Sequence, residues 1–234
     1  MLNHHTIELI DLIALGWFLL CWVVYTQVEH HRPGLAREVN AWRKAWALNM
    51  LKRSNRMVDI QAINALLSNV TFFASTTILI LAGLFAMLGS VMQGIEIFAA
   101  LPFLETMSPA TWVLKAATLI GLFIYAFFKF GWAIKQHTIS AVVMASIPEP
   151  EYADELETQQ NALRMARLSG LGAKHFNDGI RAYYFALAAI GWYINAWVFM
   201  LATVWVMMVL FRREYRSRAH QLLTGEHLLE DDMP

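Results

Sequence analysis

Four histidines are the residues of this chain best suited to hold a metal ion or a haem. They are His30, His31, His137 and His175. Imidazole nitrogens bind zinc, copper, nickel and haem iron. Their spacing matches no ligand signature, however, and a buried haem would draw its histidines from inside apolar segments. We therefore expect no cofactor, and keep a haem- or metal-binding redox subunit as the alternative.

The sequence shows no arrangement of residues that is typical of covalent or acid–base catalysis. We find no nucleophile–base pair and no paired carboxylates in an apolar site. The glycines of "GLGAKHFNDGIR" match neither the Walker A motif nor the dinucleotide fingerprint. The single cysteine, Cys21, lies in an apolar run and reads as an inert buried thiol. The net charge of +0 gives no indication of a nucleic-acid partner. We predict that the chain is not an enzyme.

Polar residues recur at helical spacing in the second apolar segment. At about 100° per residue they share one face within about 80°. We call this set the polar strip: Gln61, Asn64, Ser68, Thr71 and Ser75. The same face continues as Ala82, Ala86 and Gly89. Because lipid penalises such a face, it must meet protein or water. It either joins helices by close approach and hydrogen bonds, which we favour, or lines a polar path.

The last apolar segment offers a possible partner for the polar strip. Its small and polar residues at helical spacing are Ala188, Gly191, Asn195 and Ala202. Asn195 falls near the middle of this segment, where its amide needs a helix-two hydroxyl, another subunit or water. We favour a structural hydrogen bond over a substrate contact. No charged residue or histidine lies at the centre of an apolar segment, which argues against a proton-coupled pump.

The elements that would position these residues are membrane-spanning helices. Hydrophobic residues make up 58% of the chain and charged residues 15%, whereas soluble domains have roughly 45–50% and about 25%. Four segments are long and apolar enough to span a bilayer: about 6–28, 70–91, 110–132 and 182–211. We predict an all-α fold, a four-helix transmembrane bundle that forms a single domain over residues 1–234.

The distribution of basic residues predicts the orientation. The loops at about 29–69 and 133–181 are rich in Lys and Arg, whereas residues 92–109 contain neither. Basic loops stay in the cytoplasm, so we predict an inner-membrane protein with its N-terminus outside. Four arginines in the C-terminal tail oppose this assignment, and they are Arg212, Arg213, Arg216 and Arg218.

The two basic loops carry helical patterns of their own. Apolar residues at helical spacing predict an amphipathic helix that lies on the inner leaflet and binds anionic lipid headgroups; packing against the rest of the protein is an equal alternative. These residues are Leu35, Val39, Trp42, Trp46 and Met50. The second and third spans also continue as helices, each on the order of 55 Å long against a bilayer core of about 30 Å. We expect both to extend into the cytoplasm.

The third connection is predicted to hold an acidic helix that ends at Gly170 or Gly172, followed by a turn at Asn177-Asp178-Gly179. Asp59 could pair with Arg181 or with Arg56. We therefore predict a polar cluster on the cytoplasmic face, and its members are Asn55, Arg56, Asp59, Asn177 and Arg181.

Three stretches carry a resemblance to a known family: "NRMVDIQAINALLSNVTFFASTTILILAGL", "FNDGIRAYYFALAAIGW" and "WRKAW". They resemble the domain-of-unknown-function family five-nine-nine, small integral membrane proteins of bacteria and plants. The resemblance covers nearly the whole chain. It implies a multi-pass membrane protein and supplies no activity, substrate or catalytic residue.

From the residues we predict a self-associating helical bundle, which would be a homo-oligomer. A sharper version is a channel or passive transporter whose path is lined by Ser68, Thr71 and Ser75. An accessory or scaffold subunit of a larger membrane complex remains a further alternative.

Overall fold

The computed structural model describes residues 7–31, 34–99 and 107–224, and the ordered elements among these residues are helices. In chain order the α-helices are α1 (Leu9–His31), α2 (Leu35–Leu51), α3 (Met57–Gly89), α4 (Val91–Ala99), α5 (Pro109–Ala145), α6 (Leu156–Ile190), α7 (Ala196–Tyr215) and α8 (Arg218–Thr224). Short 3-10 helices at Pro150–Tyr152 and Gly191–Tyr193 precede α6 and α7. The predicted all-α class is confirmed.

Local sequence signals set where the long helices begin. The Ser108 hydroxyl accepts a hydrogen bond from the backbone N–H of Thr111 at 3.1 Å. Pro109 follows as the first helical residue of α5, where its missing N–H costs nothing. Asn55 does the same for α3, because its side-chain oxygen accepts from the Met57 N–H at 2.9 Å. Pro148 and Pro150 lie just beyond the end of α5, where a helix cannot easily continue.

Four helices are long and apolar enough to cross a membrane: Leu9–Glu29, Met57–Gly89, Pro109–Ala145 and Ala196–Tyr215. The first three contain most of the predicted spans, although residue 6 lies outside the described residues. α3 and α5 run without interruption from the apolar segments through the polar residues beside them, as the sequence predicts. Their position relative to the cytoplasm stays a prediction.

The predicted fourth span at 182–211 is not one helix. α6 ends at Ile190, a single 3-10 turn covers Gly191–Tyr193, and α7 begins at Ala196. The break occurs without a proline or a charge, and Asn195 caps the new helix. A Cβ on Gly191 would lie 3.2 Å from Cγ1 of Val198, so the glycine allows the start of α7 to approach closely. The connection at 92–109 also differs from the prediction, since α4 occupies its beginning.

The helix end and the turn predicted for the third connection are wrong. Gly170, Gly172 and the Asn177-Asp178-Gly179 sequence all lie inside the continuous helix α6. These glycines allow close packing and do not terminate the helix. A Cβ on Gly172 would lie 2.7 Å from Nε2 of His137, and one on Gly170 would lie 2.8 Å from Oδ1 of Asn40.

The chain divides into two compact units, and α3, α5 and α6 contribute residues to both. Unit 1 comprises Met1–Arg32, Thr76–Phe127 and Ile180–Arg212. Its core is rich in aromatic rings. Trp192 stacks on Phe199 with 4.6 Å between ring centroids, and Phe18 packs on Phe199 at 5.1 Å. Such ring pairs add to the burial of apolar area.

Unit 2 comprises Pro33–Ser75, Phe128–Gly179 and Arg213–Pro234. Its core joins α2, α3, α5 and α6, and α8 packs against α2. The predicted helix in the first basic loop is present as α2, and its residues Ala47, Met50 and Leu51 are buried in this core. This supports the packing alternative for the last turns of α2. Trp42 remains exposed, and its contact with lipid stays a prediction.

Candidate functional site

The polar strip of α3 is exposed along its whole length. Every member, from Gln61 to Ser75, has an exposed side chain. Ala82, Ala86 and Gly89, which continue the same face, are exposed as well. The Thr71 hydroxyl donates to the carbonyl of Leu67 on its own helix at 2.9 Å. Within the described part of the chain, therefore, no other helix covers this face.

A different hydroxyl on α3 makes the helix–helix contact. Thr77 is fully buried, and its hydroxyl shares a 2.8 Å hydrogen bond with the Tyr183 hydroxyl of α6 in unit 1. Hydroxyl pairs of this kind hold apolar helices together. The internal contact expected of the polar strip is thus made by a residue beside it.

Asn195 makes a structural hydrogen bond, but it does so at the start of a helix and not in the middle of one. It precedes α7, and its side-chain oxygen accepts a hydrogen bond from the backbone N–H of Val198 at 2.8 Å. This is the geometry of a helix N-cap. The break at Gly191–Tyr193 explains the difference, because it converts the centre of the predicted span into a helix start.

Two members of the predicted cytoplasmic-face cluster make hydrogen bonds to other residues of unit 2. In unit 2, Asp59 is fully buried and its Oδ1 accepts hydrogen bonds from Trp46 Nε1 at 2.7 Å and Arg53 Nη1 at 2.5 Å. Arg56 instead donates to the carbonyl oxygens of Ile147 and Pro148, at 2.6 and 2.5 Å. Asp59 and Arg56 therefore fix the start of α3 through separate partners within unit 2, and the recorded ion pair of Asp59 is with Arg53.

The remaining members of that cluster have other roles. Arg181 forms a two-pronged ion pair with Glu29 in unit 1, and its guanidinium lies 5.7 Å from the Tyr25 ring centroid. Asn177 is exposed on α6. Its neighbour Asp178 pairs with Lys129 at 2.7 Å in unit 2. The ion pair with α5 at this position is therefore made by Asp178, the residue after Asn177.

Sequence reasoning missed a buried charged group in unit 1. Asp11 and Lys115 are only 6% and 4% exposed, and Lys115 Nζ lies 3.6 Å from Asp11 Oδ1. Trp192 connects them: its Nε1 donates to Asp11 at 2.6 Å, and its carbonyl accepts from Lys115 at 2.8 Å. That carbonyl belongs to the 3-10 turn. The signal was available, since both charges lie a few residues inside apolar segments.

The structure describes the side chains of three of the four candidate histidines, His31, His137 and His175. Among the residues that the structure describes, no group of three or more His, Cys, Asp or Glu could hold a metal ion. His31 contacts the carbonyl of Gln27 on its own helix at 2.8 Å, and the side chain of His30 lies outside the description. His137 is buried in unit 2. The alternative of a histidine-based redox centre gains no support from this arrangement.

His175 is in an environment that disfavours its charged form. Burial lowers the pKa of this imidazole, the Lys129 and Lys174 charges lower it further, and the Asp178 carboxylate opposes them. Its ring packs 6.4 Å from that of Trp132. His175 is therefore held as a neutral packing residue of unit 2.

Comparison with known proteins agrees with the resemblance seen in the sequence. Residues 13–219 match a family described as "Protein of unknown function, DUF599". No curated protein and no solved structure matches the chain significantly.

Proposed function

The chain belongs to the DUF599 family of proteins of unknown function, and we propose that it is a non-enzymatic, multi-pass membrane bundle that associates with itself. Two copies place their polar strips against each other. The homo-oligomer lies in the inner membrane, with the N-terminus outside the cytoplasm.

One observation carries this proposal: the polar strip lies on a candidate membrane span and is exposed. The Thr71 hydroxyl donates to its own helix but still presents acceptor lone pairs. Lipid cannot hydrogen-bond to these lone pairs or to the Ser75 hydroxyl, so burying both groups against a second polar surface is favourable. Small residues such as Ala82 and Ala86 let two helices approach closely, and interhelical hydrogen bonds contribute roughly 0.6–2 kcal/mol each. The α3 helix of a second copy presents the same hydroxyls and the same small residues at the same spacing.

Native mass spectrometry of the full-length protein released from lipid nanodiscs tests the proposal. We expect a closed oligomer of bare chains. Replacing Thr71 and Ser75 by leucine, which adds bulk and removes hydrogen bonds, should convert it to monomer. Asn69→Leu is the matched control, because Asn69 is exposed on α3 but lies off the strip. A wild-type monomer, or a complex with a different protein in fixed ratio, would contradict self-association.

A channel or passive transporter is the sharper form of the proposal. The exposed hydroxyls of Ser68, Thr71 and Ser75 favour it, because paired strips would surround a polar route. We expect liposomes containing the protein to pass small ions or neutral solutes, and the double leucine variant to lose this flux. Absence of flux from an intact oligomer would exclude the channel and leave the self-association standing.

The basic side of α2 is proposed to meet anionic lipid headgroups. Arg37, Lys44 and Lys52 are exposed, as is the apolar ring of Trp42. Lys and Arg near a membrane surface are each worth about 1 kcal/mol toward anionic lipid. Nanodisc reconstitution with anionic or zwitterionic lipid tests this, because only the anionic lipid should protect α2 amides from hydrogen exchange. Equal protection in both lipids would contradict it.

A further inference from the structure

Unit 2 holds a partly buried positive charge that has no carboxylate partner among the described residues. The Arg43 guanidinium of α2 donates from Nη1 to the Asn40 side-chain oxygen at 2.9 Å. Within the described residues it forms no ion pair, in contrast to Arg53, which pairs with Asp59. Burial lowers the pKa of Arg43. A charge withdrawn from water without a partner is costly, so this position calls for an anion.

Two buried polar side chains lie in the same part of unit 2 as Arg43. His137 of α5 is 2% exposed, and its Nδ1 has no hydrogen-bond partner among the described residues. Asn40, which accepts from Arg43, lies against Gly170, and His137 lies against Gly172 two residues further along α6, so both contacts belong to the same part of unit 2. Ser169 of α6 is 1% exposed, and its hydroxyl is likewise without a partner in the described structure. Buried polar groups in native proteins are nearly always satisfied, so these two need an explanation.

The packing of α5 on α6 places Ser169 near His137. Gly172 lies against the His137 ring, and the Ser140 hydroxyl donates to the Met165 carbonyl at 3.0 Å. Ser169 is three residues before Gly172 and four after Met165, so it falls on the same face of α6, between these two contacts. Gly170, on the neighbouring face, leaves space for the Asn40 amide.

We propose that Arg43, His137 and Ser169, with Asn40 orienting the guanidinium, form a binding site for a phosphate-type oxyanion. An arginine fork matches phosphate oxygens, and charge-assisted hydrogen bonds of this kind are the strong ones. An imidazole N–H and a hydroxyl donate to the same acceptor. Water alone would satisfy His137 and Ser169 but would leave the charge of Arg43 uncompensated. The anion is either free phosphate or the phosphate of a lipid headgroup, and the site does not depend on self-association.

Thermal unfolding of the full-length protein in mild detergent tests the site with inorganic phosphate as the probe, against chloride at equal ionic strength. A ligand that binds only the folded state raises the melting temperature. We expect phosphate to stabilise the wild type and Arg167→Gln, whose arginine is exposed on α6. Arg43→Gln should bind phosphate roughly tenfold more weakly or worse, and Ser169→Ala, the gentler variant, should be weakened in the same direction.

A second arm uses native mass spectrometry after delipidation, with phosphatidylglycerol added back. Retention of this lipid by the wild type and Arg167→Gln, but not by Arg43→Gln, without any effect of free phosphate, would identify a headgroup as the ligand. A phosphate shift without lipid retention would identify the free anion. Absence of both effects, or equal losses in Arg43→Gln and Arg167→Gln, would overturn the proposal.

Discussion

The deeply buried charged side chains that the structure describes, Asp11, Asp59 and Lys115, all belong to ion pairs. In unit 1, Lys115 and Asp11 lie in an apolar core and share Trp192. In unit 2, Asp59 is enclosed by Trp46 and Arg53. Removal of one partner from such a pair strands the other charge in low dielectric, which is the costly outcome. Stability should therefore be most sensitive at these residues.

Lys115→Met is expected to destabilise the protein strongly, by about 3–5 kcal/mol, because Asp11 loses its nearby positive charge. The double variant Asp11→Asn/Lys115→Met should recover part of that loss, since no buried charge remains. Lys135→Met is the control: Lys135 is exposed on the same helix, and its loss should change stability by less than about 0.5 kcal/mol. Chemical unfolding in detergent measures all three, and equal losses for Lys115 and Lys135 would contradict this account of the buried pair.

His175 should make stability depend on pH. Burial and the charge of Lys129 lower its pKa in the folded state below the ordinary value of 6.5. Below that value the unfolded chain takes up a proton that the folded chain resists, so stability falls as the pH drops from about 6.5 toward the folded pKa. His175→Gln should flatten the slope of melting temperature against pH below 6.5 relative to its value at pH 8. An unchanged slope would show that His175 does not titrate in this way.

Sequence reasoning identified the types of several important side chains but not their partners. Asp59 and Arg56 were singled out, yet their contacts are with Arg53 and Ile147. The bond from Arg56 joins positions 91 residues apart in sequence, and such a pairing depends on how helices pack. Asp11 and Lys115 lie a few residues inside separate apolar segments, and only the packing of the helices shows that Trp192 joins them.

At the level of helices, the length of an apolar segment predicted the presence of a helix, but glycines did not predict where a helix ends. The three longest helices, α3, α5 and α6, each exceed thirty residues. Sequence patterns anticipated α3 and α5, because no proline interrupts them. They failed at α6, where glycines that permit close packing were interpreted as helix ends. They also failed at Gly191–Tyr193, because nothing in a continuous apolar run signals a break.

Asn195→Ala tests the corrected role of that residue. If Asn195 caps α7, its loss should cost about 1 kcal/mol of stability, because the Val198 N–H loses its acceptor. Asn177→Ala is the matched control, since Asn177 is exposed within α6 and alanine is a better helix former there. Thermal unfolding of the two variants and the wild type measures both changes in stability. A loss at Asn177 as large as that at Asn195 would argue against the cap.

Gly179→Ala tests whether the α6 glycines exist for close packing. A methyl group there would overlap the ring of Phe130, which is fully buried and cannot move aside. We expect a loss of about 1–3 kcal/mol. Gly131→Ala should instead be neutral or stabilising, because a Cβ at Gly131 meets nothing within 4 Å. Equal stability of the two variants, measured by unfolding in detergent, would contradict close packing at Gly179.

At the scale of the whole molecule, the sequence predicts a membrane protein, and the structure shows in addition that the polar strip of α3 is exposed. The family assignment and the four apolar helices agree on a membrane protein. Periodicity placed the polar strip on one face of α3 correctly. Periodicity could not say whether that face would be covered by the chain itself, because coverage depends on which helices pack beside α3. The exposure of the strip turns a general membrane bundle into a specific proposal of self-association.

Disulfide cross-linking in native membranes tests that proposal most directly. Cys21 is the only cysteine and is buried, so a Cys21→Ser background carries no other thiol. Two cysteines join only when their Cα atoms come within about 7 Å. We expect oxidation to give a covalent dimer with Ser75→Cys and none with Asn69→Cys on the same helix. Absence of dimer at Ser75→Cys, or equal dimer at both positions, would contradict the pairing of polar strips.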